Sequence, residues 1–478
     1  MKNSILIVLG LFTSIISFAQ TPWVRTYGGP NEEKGYSLVL APDSGFYVVG
    51  FTGSYGAGST DMYIIKTDSL GQLQWQKTIG TANIDIAEDI IPANNPGEYL
   101  IAGYSNGFYP YEYNFYFAKI DANGDTIRTN QAGTTEWDLC HAAVATGDGY
   151  LLVGETFYLS NGGTHGYLMK VDENLDTVKT YVNYSNEYTV FNDIIKVAAN
   201  KYLVVGNSYN EAKDSSDAMI WLFNSDGDLL QELRIDYGKN EYLNCAAASY
   251  GHGIMLGGYF HYDTTKFSKS LQIKLSDSAD VIDWYLMAPE ADDYGLEITD
   301  YAHYGNDAFI LAGESRYKYN DDHQAVIIRS YPDGYPVFNK ESGILLIIDG
   351  FFGIARAHDN GIVATGYTRS YGPGIQALMI SKFGEWGATY NGAIVSNEEK
   401  EIETWKIYPN PTHNYLYIEA KSDAQIRILD MTGNVVTNAK ITGAGVHRIS
   451  VENLASGVYN LQILSSDYAI SHTKFVKN

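Results

Sequence analysis

The tetrapeptide Tyr47-Val-Val-Gly50 decides the fold, because close variants of it recur along the chain. Each variant is a short apolar run that ends in glycine. The copies are Tyr47–Gly50, Leu100–Gly103, Leu151–Gly154, Leu203–Gly206, Ile254–Gly257, Phe309–Gly313 and Ile362–Gly366. Their glycines lie 51 to 56 residues apart. A period of about fifty residues indicates a repeat architecture.

Each repeat reads as four short strands. In the first repeat these are a segment near Tyr36, the run ending in Gly50, the run Met62–Lys66, and Gln72–Trp75. Strands this short, separated by turn residues, are typical of antiparallel sheets. One four-stranded sheet is too small to bury both of its faces, so the repeats must stack, and closure into a ring leaves no sheet uncovered.

The sequence therefore predicts an all-β fold, a seven-bladed β-propeller. The segment Trp23–Gly29 resembles Trp75–Gly80, which ends the first repeat. A fourth-strand copy thus precedes the first full repeat, and we expect it to complete the seventh blade. An open β-solenoid is the alternative, because repeats alone do not prove a ring.

Composition limits the partners. The 478 residues include 40 Tyr and 47 Gly and carry a formal net charge of -24. A charge of this sign disfavours nucleic acid and anionic membrane surfaces. Tyr and Gly together suit strands, turns and binding loops.

The first 19 residues are typical of a secretory signal peptide. Lys2 is followed by the apolar run Ile5–Ile16 and by Ser17-Phe-Ala19, with small residues at the positions before the cut. The apolar run is shorter than the ~20 residues that span a bilayer, although a membrane anchor is the alternative. We therefore expect an exported chain with no transmembrane segment.

One face of the propeller should carry the long loops, namely those between second and third strands and between one repeat and the next. Loops on a rigid scaffold commonly hold binding residues, and tyrosine-rich loops bind at low entropic cost. The predicted ligand is an extracellular glycan or protein. The alternative is that the tyrosines pack between blades and the loops are only solvated. The candidate ligand-binding residues are Tyr109, Tyr111, Tyr113, Trp137, His165, His261, Tyr262, Arg316, His323 and Tyr371.

Catalysis has weaker support, and no catalytic residue is predicted. Ser105 lies in a Gly-x-Ser-x-Gly pattern, but the same position recurs in other repeats, which indicates structure. Acidic and other polar residues recur near the start of each innermost strand: Glu88, Asp89, Asp138, His141, Asn192, Asp193, Asn244, Glu297 and Asp300. Either they cap strand ends, or carboxylates at the channel mouth make the protein a glycoside hydrolase or lyase.

No metal site or cofactor is predicted, with calcium as the alternative. Oxygen-bearing side chains alternate in three turns between third and fourth strands, at 121–125, 172–176 and 224–228. Alternating hard oxygen ligands suit Ca²⁺. Asx residues also stabilise such turns unaided, and no downstream glutamate completes an EF-hand-like loop.

The composition shifts after Tyr390. Residues 391–404 are predicted to be a linker, and residues 405–478 a small β-sandwich of Ig-like type. Four motifs follow in order: Tyr408-Pro-Asn-Pro411, Asp430-Met-Thr-Gly433, Gly457-Val-Tyr459 and Lys474-Phe-Val-Lys477. An ordinary Ig-like binding module is the alternative reading of this region.

These motifs resemble the type A sorting domain of the type IX secretion system of Bacteroidota. The resemblance implies signal-peptide export, recognition by the secretion machinery, and either release or attachment to outer-membrane lipopolysaccharide. The residues that carry it are Tyr408, Pro409, Asn410, Pro411, Gly433, Gly457, Tyr459, Lys474 and Lys477. Residues 20–390 resemble secreted propeller-repeat proteins of the same phylum.

A further resemblance concerns modification. Glycosylated proteins of that phylum carry Asp followed by Ser or Thr and then an aliphatic residue or Thr. The matching hydroxyl residues are Ser69, Thr126, Thr177, Thr264 and Ser278. The resemblance implies that the short-turn face carries glycans, and hence that the opposite face binds. The domains expected are thus a signal peptide (1–19), a propeller (20–390), a linker (391–404) and a sorting domain (405–478).

Overall fold

The computed structural model describes residues 22–478 except for several short stretches. These are residues 109–111, 159–162, 186, 213, 250–252, 262–267, 280–281, 288–293, 305–307, 318–322, 332–335, 343–347, 386–394, 397–405, 421–422, 430–434 and 466–469. The signal-peptide prediction falls outside the described residues. Within the described part every regular element is a strand, and no helix there could cross a membrane.

Twenty-nine strands precede the C-terminal region. They are β1 Trp23–Tyr27, β2 Glu33–Leu40, β3 Phe46–Thr52, β4 Asp61–Thr67, β5 Leu73–Ile79, β6 Asp85–Pro92, β7 Glu98–Ser105, β8 Asn114–Asp121, β9 Thr126–Ala132, β10 Trp137–Ala145, β11 Gly149–Tyr158, β12 Gly163–Asp172, β13 Thr177–Val182, β14 Tyr188–Ala198, β15 Lys201–Asn210, β16 Ser215–Phe223, β17 Leu229–Ile235, β18 Asn240–Ser249, β19 Gly253–His261, β20 Ser268–Leu275, β21 Ile282–Met287, β22 Tyr294–His303, β23 Phe309–Tyr317, β24 His323–Ser330, β25 Pro336–Ser342, β26 Asp349–Arg356, β27 Ile362–Thr368, β28 Ala377–Phe383 and β29 Val395–Ser396.

These strands form antiparallel sheets that follow the repeats. Six sheets take four consecutive strands each, from β2–β5 through β22–β25, and a further sheet has the order β26-β27-β28-β1-β29. Successive sheets contact one another, and β2 of the first also contacts β26, β27 and β28 of the last. The described sheets therefore close on themselves, as in a propeller.

The N-terminal strand closes the ring. β1 pairs antiparallel with β28, with Arg25 opposite Ile380, so it is the outer strand that the sequence predicts. Trp23 and Tyr27 of β1 lie in one hydrophobic cluster with Phe46 and Val48 of the first sheet. One difference concerns the predicted linker, since Val395–Ser396 pairs in parallel with β1 as a fifth strand.

A β-bulge interrupts every innermost strand. The register of β2 against β3, for example, jumps between Gly35 and Ser37 and leaves Tyr36 as the extra residue. The corresponding extra residues of the other sheets are Glu88, His141, Asn192, Asn244, Thr299 and Phe352. A bulge bends its strand and re-aims a side chain.

The repeated glycine is explained by this bulge. A Cβ on Gly154 would lie 1.8 Å from the carbonyl oxygen of Leu139. A backbone carbonyl oxygen likewise lies 1.8 to 2.2 Å from the position that a Cβ would take at Gly50, Gly103, Gly206, Gly258, Gly313 and Gly366. The sequence motif placed the fifth copy at Gly257, which is one residue early. Gly258 has the equivalent pairing, opposite Leu243.

A buried acid ties most innermost strands to the segment before them. Asp138 Oδ2 accepts a hydrogen bond from the backbone N–H of Thr134 at 2.5 Å, and Asp85 Oδ2 accepts one from Thr81 at 2.6 Å. Glu33, Glu241 and Asp349 occupy the same register and accept backbone N–H groups too. The strand-end capping interpretation thus holds for Asp138, whereas Glu88 and Asp89 lie at a bulge within β6.

The C-terminal region contains two sheets. Its strands are β30 Lys406–Tyr408, β31 Tyr415–Ala420, β32 Ala424–Leu429, β33 Val435–Ile441, β34 Gly445–Ser450, β35 Gly457–Ser465 and β36 Ile470–Lys477. One sheet has the order β30-β31-β34 and the other β33-β32-β35-β36. Leu416 and Ile418 of the first share a buried cluster with Ile426, Leu461 and others of the second. The two sheets therefore enclose one core.

Candidate functional site

The long-loop face brings together the two kinds of connection expected there. The loop before β4 meets the segment before β6, since Ser59 donates its backbone N–H to Asn83 at 2.9 Å. The next pair of sheets repeats this contact, since Asp138 donates its backbone N–H to Tyr113 at 2.8 Å. These backbone bonds fix the loops at the end of the channel.

One half of the bulge ring holds neighbouring sheets together. Asn192 Nδ2 donates to the carbonyl oxygen of Leu243 at 2.7 Å, and Asn244 Nδ2 donates to that of Ile298 at 2.8 Å. Thr299 Oγ1 donates to the carbonyl oxygen of Phe351 at 2.6 Å. Each of these side chains thus donates a hydrogen bond to a backbone carbonyl oxygen of the following sheet.

The other half of the ring has a different chemistry. Its members are Phe352, Tyr36, Glu88 and His141, all of them half-buried. The rings of Tyr36 and Phe352, from adjacent sheets, have centroids 5.2 Å apart. We call these four residues, together with Lys34 and Tyr367 beside them, the channel-mouth cluster.

Lys34 packs on the aromatic part of this cluster. Its Nζ lies 4.8 Å from the ring centroid of Tyr367 and 5.6 Å from that of Phe352. The Tyr367 and Phe352 rings are themselves stacked, with centroids 5.6 Å apart. Burial lowers the pKa of Lys34, an effect that the nearby Glu314 opposes. A cation over an aromatic face is stabilised by the ring quadrupole.

Two ionisable groups of the mouth, Glu88 and His141, are largely uncharged near neutral pH. Burial raises the pKa of Glu88 to about 8 and that of Glu155 to about 7. Burial lowers the pKa of His141 to about 4, because desolvation disfavours its charged form. His141 Nε2 lies 3.9 Å from Glu155 Oε1. Glu88 and His141 therefore offer hydrogen-bonding groups that carry little charge, with Lys34 as the cation beside them.

A second hydrogen-bonded group lies beside Lys34. Tyr367 donates its hydroxyl to Glu314 Oε1 at 3.1 Å, and His323 Nδ1 lies 3.2 Å from Glu314 Oε2. Glu314 and Tyr367 are buried. Of the predicted ligand-binding residues, His323 is thus the one held next to the channel-mouth cluster.

Three aspartates each join one sheet to the next, at every second junction between sheets. Asp89, Asp193 and Asp300 follow the bulges of β6, β14 and β22. Each accepts the backbone N–H of a residue in the next sheet, namely Ala143, Ala246 and Ile354, at 2.7 to 3.0 Å. Burial raises the pKa of all three, and that of Asp193 reaches about 7.

Tyr113 and Trp137 form part of an aromatic row. Their ring centroids are 5.4 Å apart, edge to face, and Tyr104 and Phe157 extend the row on either side. Trp137 is 37% exposed and donates Nε1–H to Glu112 Oε2. Tyr113 thus lies between the exposed indole and Tyr104, which follows the repeated glycine of β7.

The two predicted histidines His165 and His261 pack within separate groups. His165 is buried against the rings of Tyr158 and Tyr184, and its Nδ1 lies 3.2 Å from the carbonyl oxygen of Asn183. His261 lies beside the stacked pair Tyr242–Tyr259, and its Nε2 lies 3.1 Å from Ser268 Oγ.

The remaining predicted ligand-binding residues are less well defined. Arg316 pairs in register with His323 across β23 and β24, and Tyr371 is half-buried in the loop before β28. Tyr109, Tyr111 and Tyr262 lie outside the described residues. The predicted site thus divides into several groups around the face, whose binding role stays a prediction.

Ser105 and the three candidate calcium turns have local structural roles. Ser105 is buried, and its Oγ accepts the backbone N–H of Gly107 at 3.0 Å. In each turn the first side chain accepts two backbone N–H groups, as Asp121 does from Asn123 and Asp125. The same arrangement recurs at Asp172 and Asn224. Asx turns of this kind need no metal.

Sequence reasoning missed Lys34, Tyr36, Phe352 and Tyr367. A signal for them exists, because the bulge residue lies 13 to 15 positions before the repeated glycine and Tyr367 directly follows one. The bulge itself leaves no residue preference that could be read from one sequence, since six residue types occur at its seven positions and only Asn occurs twice.

The sorting motif fastens the end of the chain. Asn410 Oδ1 accepts the backbone N–H of Val476 at 2.9 Å, and Thr412 donates its backbone N–H to the carbonyl oxygen of Val476 at 2.8 Å. Asn478 in turn donates to Thr412 at 2.9 Å. The first motif therefore binds the last one.

The aromatic residues of the sorting motif also pack in pairs. Tyr408 and Tyr417 stack at 5.9 Å, with Tyr408 44% exposed. Tyr459 packs on Phe475, and Gly433 lies outside the described residues.

Comparisons with known proteins identify the C-terminal region. Residues 406–478 match the family described as "Secretion system C-terminal sorting domain". No curated protein matches the chain. Among solved structures, the extracellular domain of the one-component system BT4673 from B. thetaiotaomicron has 14% identity and a TM-score of 0.42. That alignment covers 93% of this chain and 57% of the other, so this chain spans little more than half of it.

A second solved structure is the β-propeller domain of the Trilobed protease from Pyrococcus furiosus, described as having an open velcro topology. It shares 10% identity at a TM-score of 0.40, over 78% of this chain and 98% of that one. Both similarities are remote and concern the fold alone. The sorting domain has a direct consequence, since it marks the chain for export to the cell surface or for secretion through the type IX machinery.

Proposed function

Because residues 406–478 are a type IX sorting domain, we propose that the preceding region works outside the cell as a glycan-binding, seven-bladed β-propeller. In this proposal residues 20–390 form the propeller and residues 405–478 an Ig-like sandwich that directs export. After export the protein is either released or attached to outer-membrane lipopolysaccharide.

The observation that carries the proposal is the channel-mouth cluster. Half-buried Phe352 and Tyr36 offer aromatic surface, on which sugar rings can pack, and the buried Tyr367 stacks on Phe352. Glu88, with a pKa of about 8, can donate as well as accept hydrogen bonds at neutral pH. A mouth with aromatic faces and few net charges suits an uncharged saccharide better than a charged ligand.

A second candidate is a carbohydrate-active enzyme. Glu88 and Glu155 have pKa values raised to about 8 and about 7, which is the range of a general acid at neutral pH. Perturbed carboxyl groups also occur at structural positions, and a glycosidase needs two of them about 5–10 Å apart across the bond to be cleaved. Binding without turnover is therefore the primary proposal.

The test uses the intact secreted protein on an array of neutral and acidic glycans, with chromatography of each bound glycan after incubation. Binding to a neutral class without new products supports the primary proposal. New products that disappear in Glu88→Gln support the enzyme instead. Failure to bind any glycan, or binding of proteins alone, would overturn the glycan assignment.

The short-turn face is the proposed site of glycosylation. Thr126 and Thr177 are exposed at the starts of β9 and β13, and the next residues, Ile127 and Val178, are 50% and 63% exposed although aliphatic. Ser278 is exposed and Ser69 half-buried in equivalent turns, while Thr264 lies outside the described residues. Intact-mass measurement tests this proposal: added hexose that falls in Thr126→Ala and Thr177→Ala supports it, and an unmodified mass ends it.

A further inference from the structure

One junction between sheets departs from the repeat in its charge. In three of the segments that precede an innermost strand, glycine lies five residues ahead of the buried acid, at Gly28, Gly80 and Gly133. A Cβ on Gly80 would lie 2.3 Å from Asp61 Oδ1 and 2.9 Å from Asp85 Oδ2. Between β17 and β18 the corresponding residue is Asp236, and the buried acid is Glu241.

Asp236 and Glu241 form a carboxylate cluster with Asp217. Asp217 lies on β16 at the register position that Asp61 occupies on β4, opposite Ser208 and Thr52 respectively. One oxygen of each of the three carboxylates lies within 4.8 Å of the others. Oxygens bound to one Ca²⁺ at 2.3–2.6 Å are at most about 5 Å apart, so one ion can reach all three.

Backbone and side-chain donors position the three carboxylates. Glu241 Oε1 accepts the N–H groups of Tyr237 and Lys239, at 3.2 and 2.8 Å. Asp236 Oδ1 accepts the N–H of Gly238 at 2.7 Å, and Arg234 donates to Asp217 Oδ2 at 2.5 Å. One oxygen of each group is thereby anchored, which orients the carboxylates before any ion binds.

Glu241 provides the independent observation that points to a ligand. Its side chain is fully buried, and its Oε2 has no hydrogen-bond partner among the described residues. Its neighbours in the cluster, Asp217 and Asp236, are also carboxylates. Burying a carboxylate oxygen without a hydrogen-bond donor costs free energy of folding. Because the neighbouring carboxylates donate no hydrogen bond when ionised, a cation is the partner that fits this oxygen.

We propose that Asp217, Asp236 and Glu241 bind one divalent cation, of which Ca²⁺ is the best match to an all-oxygen site. The Arg234 guanidinium donates to both Asp217 and Glu187 and so offsets negative charge at the rim of the site. The carboxylates of Asp236 and Glu241 then supply the negative charge that the cation balances. The bound ion fixes the segment between β17 and β18 on the long-loop face. This site is separate from the turns that the sequence singled out and does not depend on the proposed glycan binding.

The test is calcium titration of the EDTA-treated full-length protein by calorimetry, with thermal unfolding in parallel. Asp236→Gly restores the residue of the other junctions at an exposed position, and Glu241→Gln removes the buried charge. Asp226→Asn changes an exposed acid in one of the alternating turns and serves as the matched control.

We expect one Ca²⁺ per chain, a higher unfolding temperature with calcium, and affinity weakened about tenfold or more in Asp236→Gly and Glu241→Gln. Asp226→Asn should bind as the unmodified protein does. No calcium binding, a loss confined to Asp226→Asn, or unchanged affinity in Asp236→Gly would overturn the proposal. Asp236→Gly decides the outcome if Glu241→Gln does not fold.

Discussion

Asp193 Oδ2 accepts the backbone N–H of Ala246 in the neighbouring sheet at 2.8 Å. The same bond joins Asp89 to Ala143 and Asp300 to Ile354. Carboxylates therefore link neighbouring sheets at three junctions around the channel, and their surroundings raise their pKa values. The central contacts of the ring are accordingly sensitive to pH.

Replacement of Asp193 by Asn should flatten the pH dependence of stability. Burial raises the pKa of Asp193 from 3.8 to about 7, so between these values the folded state binds more protons than the unfolded state. The stability it contributes is complete below about pH 4 and is lost as pH rises to about 7, by at most about 1.4 kcal/mol per pH unit.

Urea unfolding of Asp193→Asn and the unmodified protein at pH 5 and pH 8 measures this effect. The variant should gain stability relative to the unmodified protein on going from pH 5 to pH 8, and Asp226→Asn, on an exposed turn, should not. A constant difference between Asp193→Asn and the unmodified protein would show that Asp193 does not titrate in this range.

If β1 closes the ring, removing the Tyr27 hydroxyl should lower the free energy of unfolding. Tyr27 is fully buried, and its hydroxyl donates to the carbonyl oxygen of Gly71 in the first sheet at 2.5 Å. Tyr27→Phe should lower the free energy of unfolding by about 1–2 kcal/mol. Tyr184→Phe, at a side chain 72% exposed, should change it by less than about 0.5 kcal/mol. Equal effects of the two variants in urea unfolding would argue against closure by β1.

The bulge predicts which glycines tolerate alanine. Gly154→Ala places a Cβ 1.8 Å from the Leu139 carbonyl oxygen, which only a backbone shift can relieve, so we expect a loss of about 3 kcal/mol or more. Gly53→Ala meets its nearest atoms at 3.5 Å and should be nearly neutral. Thermal unfolding compares them, and a stable Gly154→Ala protein would contradict this account of the repeat.

Asn410 and Thr412 hold Val476 by hydrogen bonds, a contact that we call the clasp. The clasp predicts an effect on export. Asn410→Ala removes the acceptor of the Val476 N–H and should destabilise this domain by about 1 kcal/mol. We expect less protein outside the cell, as measured by immunoblot of surface and culture fractions. Asn438→Ala, at an exposed position on β33, is the control. Equal export of both variants would mean that the clasp is dispensable.

The sequence was informative where a physical requirement repeats. Glycine recurs because the bulge brings a carbonyl oxygen close, so the strand order within a repeat could be predicted, as could the pairing of β1 with the last sheet. The fifth copy was misplaced because Gly257 and Gly258 are adjacent, and only the pairing with Leu243 distinguishes them.

The candidate site was harder to predict because it depends on contacts between repeats. Lys34 meets Phe352 only through ring closure, more than 300 residues along the chain. The side chains at the bulges vary from sheet to sheet, with only Asn192 and Asn244 alike, so no residue shared by all repeats marks the channel. The cluster of Asp217, Asp236 and Glu241 stands out only once the register of β16 aligns Asp217 with Asp61.

The affinity of the best-bound array glycan for two single variants tests the central claim most directly. Trp137 and Val178 are both exposed hydrophobic residues, one on the long-loop face and one at the short turns. We expect Trp137→Ala to weaken binding about tenfold or more and Val178→Ala to leave it unchanged. Weaker binding in Val178→Ala with unchanged binding in Trp137→Ala would place the ligand on the opposite face and contradict the account.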